Sequence, residues 1–201
     1  MIKNIIFDLG NVLISFKTKE YLEKKGYPEE LKNKILADIF YSCEWLELDN
    51  GDITPAQATE KIAKRSSLKE SEIAEIFDLR TDIMFPLEQN VKLMPMLKQE
   101  GYKLYYLSNF MSDVFPEIQN SYPFFSLFDG GIISAHVKVS KPDEAIYRLL
   151  IEKYSLIAGE SLFIDDLETN TKAAEKIGMK SLHTCGSEDI GTALREILAN
   201  V

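Results

Sequence analysis

Ile5-Ile6-Phe7-Asp8-Leu9-Gly10 decides the fold: three consecutive apolar residues run straight into a carboxylate and a glycine. So short an apolar run reads as a strand buried on both faces, which is typical of a parallel sheet covered by helices. Four further runs of the same kind follow much later, at 104–107, 131–134, 161–164 and Lys180–His183. Helical patterns alternate with them. Ile146, Leu149, Leu150, Tyr154 and Ile157 keep to one face at helical spacing, as do Ala173, Ala174 and Ile177, with Gly178 as the left-handed stop. Pro95 and Gly101 bracket another helix around Leu97. The expected fold class is α/β, an open, doubly wound parallel sheet whose ligands lie beyond the carboxyl ends of the strands.

Between Ser15 and Pro86 the strand signals vanish. Leu31, Ile35, Ile39 and Phe40 form one helical stripe, and Pro28 suits its first turn. Thr54-Pro55 reads as an N-cap with proline at N1, continued by Ala58 and Ile62. Ile73, Ile76, Phe77 and Arg80 suggest a last helix reaching toward Met84. The expected organisation is therefore a core of residues 1–14 and 87–201, with an all-helical cap, residues 15–86, inserted after the first strand.

Three clusters give Asp8 a chemical context, because each falls at or just beyond the end of a later strand. Leu107-Ser108-Asn109 offers a hydroxyl and exposed backbone N–H groups that could hold phosphate oxygens. Lys141-Pro142-Asp143 reads as a helix start, from which a lysine could reach the crevice. In Phe163-Ile164-Asp165-Asp166-Leu167-Glu168-Thr169-Asn170, two adjacent carboxylates repel each other at a buried strand end. Capping needs only one; a hard cation such as Mg²⁺ accommodates both.

The ordered set Phe7-Asp8-Leu9-Gly10-Asn11-Val12, Leu107-Ser108-Asn109, Lys141-Pro142-Asp143 and Phe163-Ile164-Asp165-Asp166 with Asn170 resembles the haloacid dehalogenase superfamily, over essentially the whole chain. Within it, the opening motif and Asn50-Gly51-Asp52-Ile53-Thr54 are similar to bacterial α-D-glucose-1-phosphatase-like proteins and, more distantly, to the phosphatase domain of soluble epoxide hydrolases. The resemblance implies a phosphatase in which Asp8 becomes a phosphoaspartate. It implies that Ser108 and the Asn109 backbone grip the phosphoryl group and that Lys141 offsets charge. Mg²⁺ would sit on Asp8, the Gly10 carbonyl and Asp166, with Asp165 beside it and Asn170 behind. The substrate would be a small phosphorylated metabolite, for instance a sugar phosphate.

One position departs from the pattern. Most phosphatases of the superfamily carry an acid–base Asp two residues after the nucleophile, where this chain has Gly10. Such help is worth about 10²–10⁴-fold. Three readings stay open: a phosphatase with a good leaving group or a cap-borne acid such as Glu44 or Glu47 near Trp45; a metal-independent 2-haloacid dehalogenase; and a non-catalytic phosphate-ester-binding module.

Bulk composition narrows the field. With 23 Lys and Arg against 32 Asp and Glu, the net charge of −9 disfavours a sequence-independent nucleic-acid binder. The N-terminus turns polar too early for a signal peptide, and no run of 18 apolar residues occurs, so no membrane span is expected. Cys43 and Cys185 read as two reduced thiols, giving a cytoplasmic expectation. His136 and His183 read as structural, and the sequence leaves the oligomeric state open, compatible with a monomer.

Overall fold

The structure is a computed structural model that describes residues 1–185 and 189–199. Its core is a five-stranded, all-parallel sheet of β1 (Asn4–Phe7), β4 (Lys103–Ser108), β5 (Gly130–Ile133), β6 (Ser161–Asp165) and β7 (Lys180–His183), in the spatial order β5-β4-β1-β6-β7. All five expected strands are present, displaced by a residue at most at either end.

Why β1 sits in the middle follows from its residues. Successive side chains of a strand point to opposite faces. Ile5 and Phe7 pack into the core on one side of the sheet, with Leu104, Leu162 and Ile164. Ile6 packs on the other side with Leu107, Tyr147 and Phe163. A strand apolar on both faces needs a covering layer on each and a neighbour at each edge. The neighbours are β4 and β6, paired as Ile5↔Leu104 and Ile5↔Leu162. β5 opens with Gly130-Gly131 for a steric reason: a Cβ on Gly131 would lie 2.3 Å from the Tyr106 ring.

Covering the sheet are α6 (Glu88–Val91), α7 (Met94–Gln99), α8 (Phe115–Ser121), α9 (Ser134–Val137), α10 (Glu144–Tyr154), α11 (Glu168–Lys176) and α12 (Gly191–Ala199). Asp143, not Pro142, caps α10, its carboxylate accepting from the Ala145 N–H, so Lys141 and Pro142 precede the helix. Ile157, expected on the buried stripe, is 60% exposed.

The segment before β4 holds α1 (Thr18–Lys24), α2 (Glu29–Ile35), α3 (Cys43–Asn50), α4 (Pro55–Arg65) and α5 (Glu70–Asp78). α4 starts with the expected cap: Thr54 Oγ1 accepts from the Gln57 N–H, and Gln57 Oε1 accepts from the Thr54 N–H. The stripe of α2 passes into a π turn, Leu36–Phe40, a form frequent at functional sites. Two strands went unforeseen. β2 (Ile14–Phe16) and β3 (Met84–Pro86) pair antiparallel at the two ends of this helical segment. α5 accordingly stops at Asp78 instead of running on toward Met84. Among the described residues, no helix is long and apolar enough to cross a membrane.

The loop leaving β1 is held from behind by Asn90, which is fully buried. Its Nδ2 donates to the Val12 carbonyl at 2.7 Å, and its Oδ1 accepts from the Ile190 N–H at 3.1 Å. Asn90→Ala strands both groups and is expected to cost about 1–3 kcal/mol, read as a lower urea midpoint at unchanged slope.

Candidate active site

The chain leaves β1 for β4 on one side and later returns to β6 on the other, so the connections leaving the paired ends of β1 and β6 part and open a crevice beyond them. Asp8 follows β1, and its N–H donates to the Ile164 carbonyl at 2.8 Å. Asp165 ends β6, and Asp166 follows it. Lys141 comes in between α9 and α10, with its side chain 1% exposed.

The ammonium of Lys141 joins two of these groups, lying 2.9 Å from Asp8 Oδ1 and 2.6 Å from Asp165 Oδ2. Asp8 Oδ1 also accepts from the Leu9 N–H at 2.7 Å, which fixes the carboxylate's plane. Asp165 is saturated: besides Lys141 it takes bonds from the Leu167 N–H (2.8 Å) and from Asn170 Nδ2 (2.9 and 3.1 Å). Asp166 lies toward the opening, its Oδ2 accepting from Asn11 Nδ2 at 3.0 Å. Adjacent in sequence, the two aspartates therefore have different surroundings, Asp165 clamping Lys141 and Asp166 lining the cavity.

The electrostatics follow from burial. Desolvation pushes the Asp8 carboxyl up to about 7, against the pull of Lys141 and the Ser108 hydroxyl and with the help of Asp165's charge. Asp166 is raised for the same first reason, burial, with Asn11 opposing. Burial would lower the Lys141 ammonium, but Asp8 and Asp165 outweigh it and hold the group above its ordinary range.

Ligand oxygens of Asp8, Asp165 and Asp166 lie within 4.8 Å of one another. Three carboxylates against one ammonium leave a surplus of two negative charges, which one divalent cation would cancel. An all-oxygen donor set of this kind suits a hard ion.

Ser108, 1% exposed, and Asn109 lie at the end of β4 and line the same cavity as Asp8, Gly10, Lys141 and Asp166, about 320 Å³ in volume. The Asn109 side chain is committed elsewhere. Its Nδ2 donates to the Lys141 carbonyl and its Oδ1 accepts from the Lys141 N–H, both at 2.9 Å, so it fixes the lysine's backbone. The helical segment supplies the mouth through Phe40, Tyr41, Trp45 and Leu46, with Phe16 of β2 behind them. A larger groove of about 820 Å³, along α1, β3 and α8, contains none of these carboxylates.

The two candidate proton donors of the sequence reading fall outside the cavity. Glu44 pairs with Arg65 at 2.6 Å, a hydrogen bond that holds its carboxyl down at about 2 despite burial. Glu47 pairs with Lys61 at 2.7 Å on the outer surface. The carboxyl of α3 that lines the cavity is Asp49, which the sequence reading passed over. Helical phase would have found it: Asp49 lies one turn beyond Trp45 and shares its face, whereas Glu44 and Glu47 do not. Asn11 was likewise missed as a partner of Asp166. His136 stacks edge-on against Phe115, and His183 contacts the Asp166 carbonyl, neither in the cavity lining. Both cysteines are exposed, and neither lines the cavity.

The chain has relatives among known proteins. The chain is 28% identical over 196 residues to the sesquiterpene phosphatase AstK of Aspergillus oryzae, covering 98% of this chain and 96% of that one. It is 25% identical over 203 residues to the drimenol cyclase DrtB of Aspergillus calidoustus, spanning all of this chain but 37% of the length of that protein. Among solved structures, the HAD family enzyme BT-2542 of Bacteroides thetaiotaomicron, in complex with magnesium and inorganic phosphate, superposes with a TM-score of 0.74 at 24% identity, covering 97% of this chain and 100% of the other. The sequence profile of the haloacid dehalogenase-like hydrolases matches residues 2–178, and the chain belongs to that family of hydrolases.

Proposed function

We propose that the protein is a Mg²⁺-dependent phosphomonoesterase that hydrolyses a small phosphorylated metabolite through a phosphoaspartate at Asp8. The observation that carries this reading is the Lys141 ammonium bridging Asp8 and Asp165, with Asp166 lining the same cavity as Asp8 and within 4.8 Å of both. A carboxylate attacks a phosphate dianion only when something relieves their repulsion. Lys141 offsets part of the charge on Asp8, and Asp165 with Asn109 keeps the lysine in place from both ends. Ser108 and the Asn109 N–H would hold the equatorial oxygens of the transferring group. Bound by Asp8, Asp166 and the Gly10 carbonyl, Mg²⁺ would supply the remaining positive charge. The segment 15–86 then serves as a cap, placing its aromatic side chains where the organic part of the ester must lie.

That mouth favours an apolar organic group over a bare sugar. Tyr41, Leu46 and Leu167 are 74%, 63% and 54% exposed, three of the most exposed large apolar side chains among the described residues, and all three line this cavity. Exposed apolar surface gathered at one opening marks a binding face. The sesquiterpene phosphatase among the relatives is in keeping with this. A carbon–halogen hydrolase needs no metal and would have no use for the third carboxylate.

The test is phosphate release from farnesyl phosphate, benzyl phosphate and glucose 1-phosphate, with Mg²⁺ and with EDTA. Turnover is expected only with the metal, and with higher kcat/KM on the two apolar esters. Turnover undiminished in EDTA, or none on any ester, would overturn the reading.

A further inference from the structure

We propose that Asp49 is the catalytic acid and base of the reaction at Asp8, supplying from α3 the carboxylic acid that the chain lacks at position 10. This rests on the phosphatase reading above. Three carboxylates line the cavity, namely Asp8, Asp166 and Asp49. The first two form its floor and belong to the nucleophile and the cation site. Asp49 comes from α3, the helix that also brings Trp45 and Leu46 to the mouth where the organic part of the ester would lie.

The position of Asp49 relative to the floor is set by bonds at the end of α3. The Ser134 hydroxyl donates to the Asp49 carbonyl, the Ser140 hydroxyl to Asn50 Oδ1 and the Lys138 ammonium to the Gly51 carbonyl. Ser134 also accepts from the Phe110 N–H at 2.9 Å, two residues beyond Ser108, so one side chain ties the phosphate-binding loop to α3. The turn itself demands glycine. Gly51 has φ +70°, and a Cβ there would lie 2.9 Å from the Ala135 carbonyl oxygen. A helix end packed this closely holds a catalytic group more firmly than a hinged lid would.

The charges around Asp49 suit a donor. Burial, and then the charge of Asp8, raise its carboxyl well above the usual carboxylate range, with Arg80 and Lys141 opposing. A carboxyl raised in this way is suited to giving a proton to a leaving oxygen. In the first step an Asp8 oxygen bonds to phosphorus, the P–O bond to the organic group breaks, and the Asp49 proton passes to the departing oxygen as the alcohol forms. In the second, water attacks phosphorus, Asp49 takes its proton, and the Asp8–phosphorus bond breaks to give inorganic phosphate.

The experiment compares Asp49→Asn with the wild type, in Mg²⁺, on benzyl phosphate and p-nitrophenyl phosphate. The first releases an alkoxide that must be protonated; the second releases a phenolate stable without a proton. In the variant, kcat/KM on benzyl phosphate should fall about 10²–10³-fold, while on p-nitrophenyl phosphate it should stay within about tenfold. The variant should also release one equivalent of nitrophenolate in a burst before a slow steady state, because the second step has lost its base. The burst itself reports a folded, competent Asp8. Equal losses on both esters, or no loss on benzyl phosphate, would overturn the role of Asp49 while leaving the phosphatase reading standing. A wild type inactive on both esters would overturn the two statements together.

Discussion

Asp8→Asn is expected to abolish turnover, by about 10⁴–10⁶-fold, as removal of a covalent nucleophile does elsewhere. The amide matches the carboxylate in shape, and Lys141 keeps Asp165 at 2.6 Å, so the site should not collapse. The sign of the stability change separates this loss from misfolding. Burial raises the folded pKa of Asp8 to about 7 from an ordinary 3.8. A carboxyl raised in this way favours the fold when protonated, and that contribution is lost as pH climbs from about 4 through about 7. Asparagine has no such loss. Without metal at pH 8, the variant should melt at or above the wild-type temperature while catalysing nothing. A variant that kept native turnover, or lost it only by unfolding, would contradict the assignment.

Lys141→Met has the second-largest expected effect, and here both properties fall. Its ammonium is the cation bonded to both Asp8 and Asp165, and the side chain is 1% exposed. Removing one member of a buried charge cluster leaves the others unpaired, which costs about 3–5 kcal/mol. The catalytic loss should be on the order of 10²–10³-fold, that of one electrostatic donor at a developing charge. Lys141→Arg should not restore activity, because the planar guanidinium cannot occupy the site of a point-like ammonium held between two carboxylates. Urea unfolding and kcat/KM on one ester measure the two losses. Recovery of near-native rates in the arginine variant would show that charge alone, without this geometry, suffices.

How much the sequence revealed depended on scale. Strands buried on both faces announce themselves as short apolar runs, so β1, β4, β5 and β6 were legible from residues such as Ile5-Ile6-Phe7, as was the placing of polar residues at their ends. β2 and β3 were not legible. Each has three residues, too few for alternation to register, and their pairing joins positions some seventy residues apart. The neighbours Asp165 and Asp166 look alike in sequence; only the end of the strand turns one toward Lys141 and the other toward the opening. Asn109 was read through its backbone, while its side chain works on Lys141. Glu44 and Glu47 are near Trp45 along the chain but not on its face of the helix, and they pair with Arg65 and Lys61 outside the cavity. On a helix the neighbours lie three and four residues away, which leads to Asp49.

Trapping the covalent intermediate tests the central claim most directly. Wild-type protein mixed with Mg²⁺ and p-nitrophenyl phosphate, quenched in acid within a turnover and reduced with borohydride, should yield homoserine in place of Asp8 when its peptides are weighed. Phosphate release with Asp8 recovered unmodified, or with the reduced residue found at another aspartate, would contradict it.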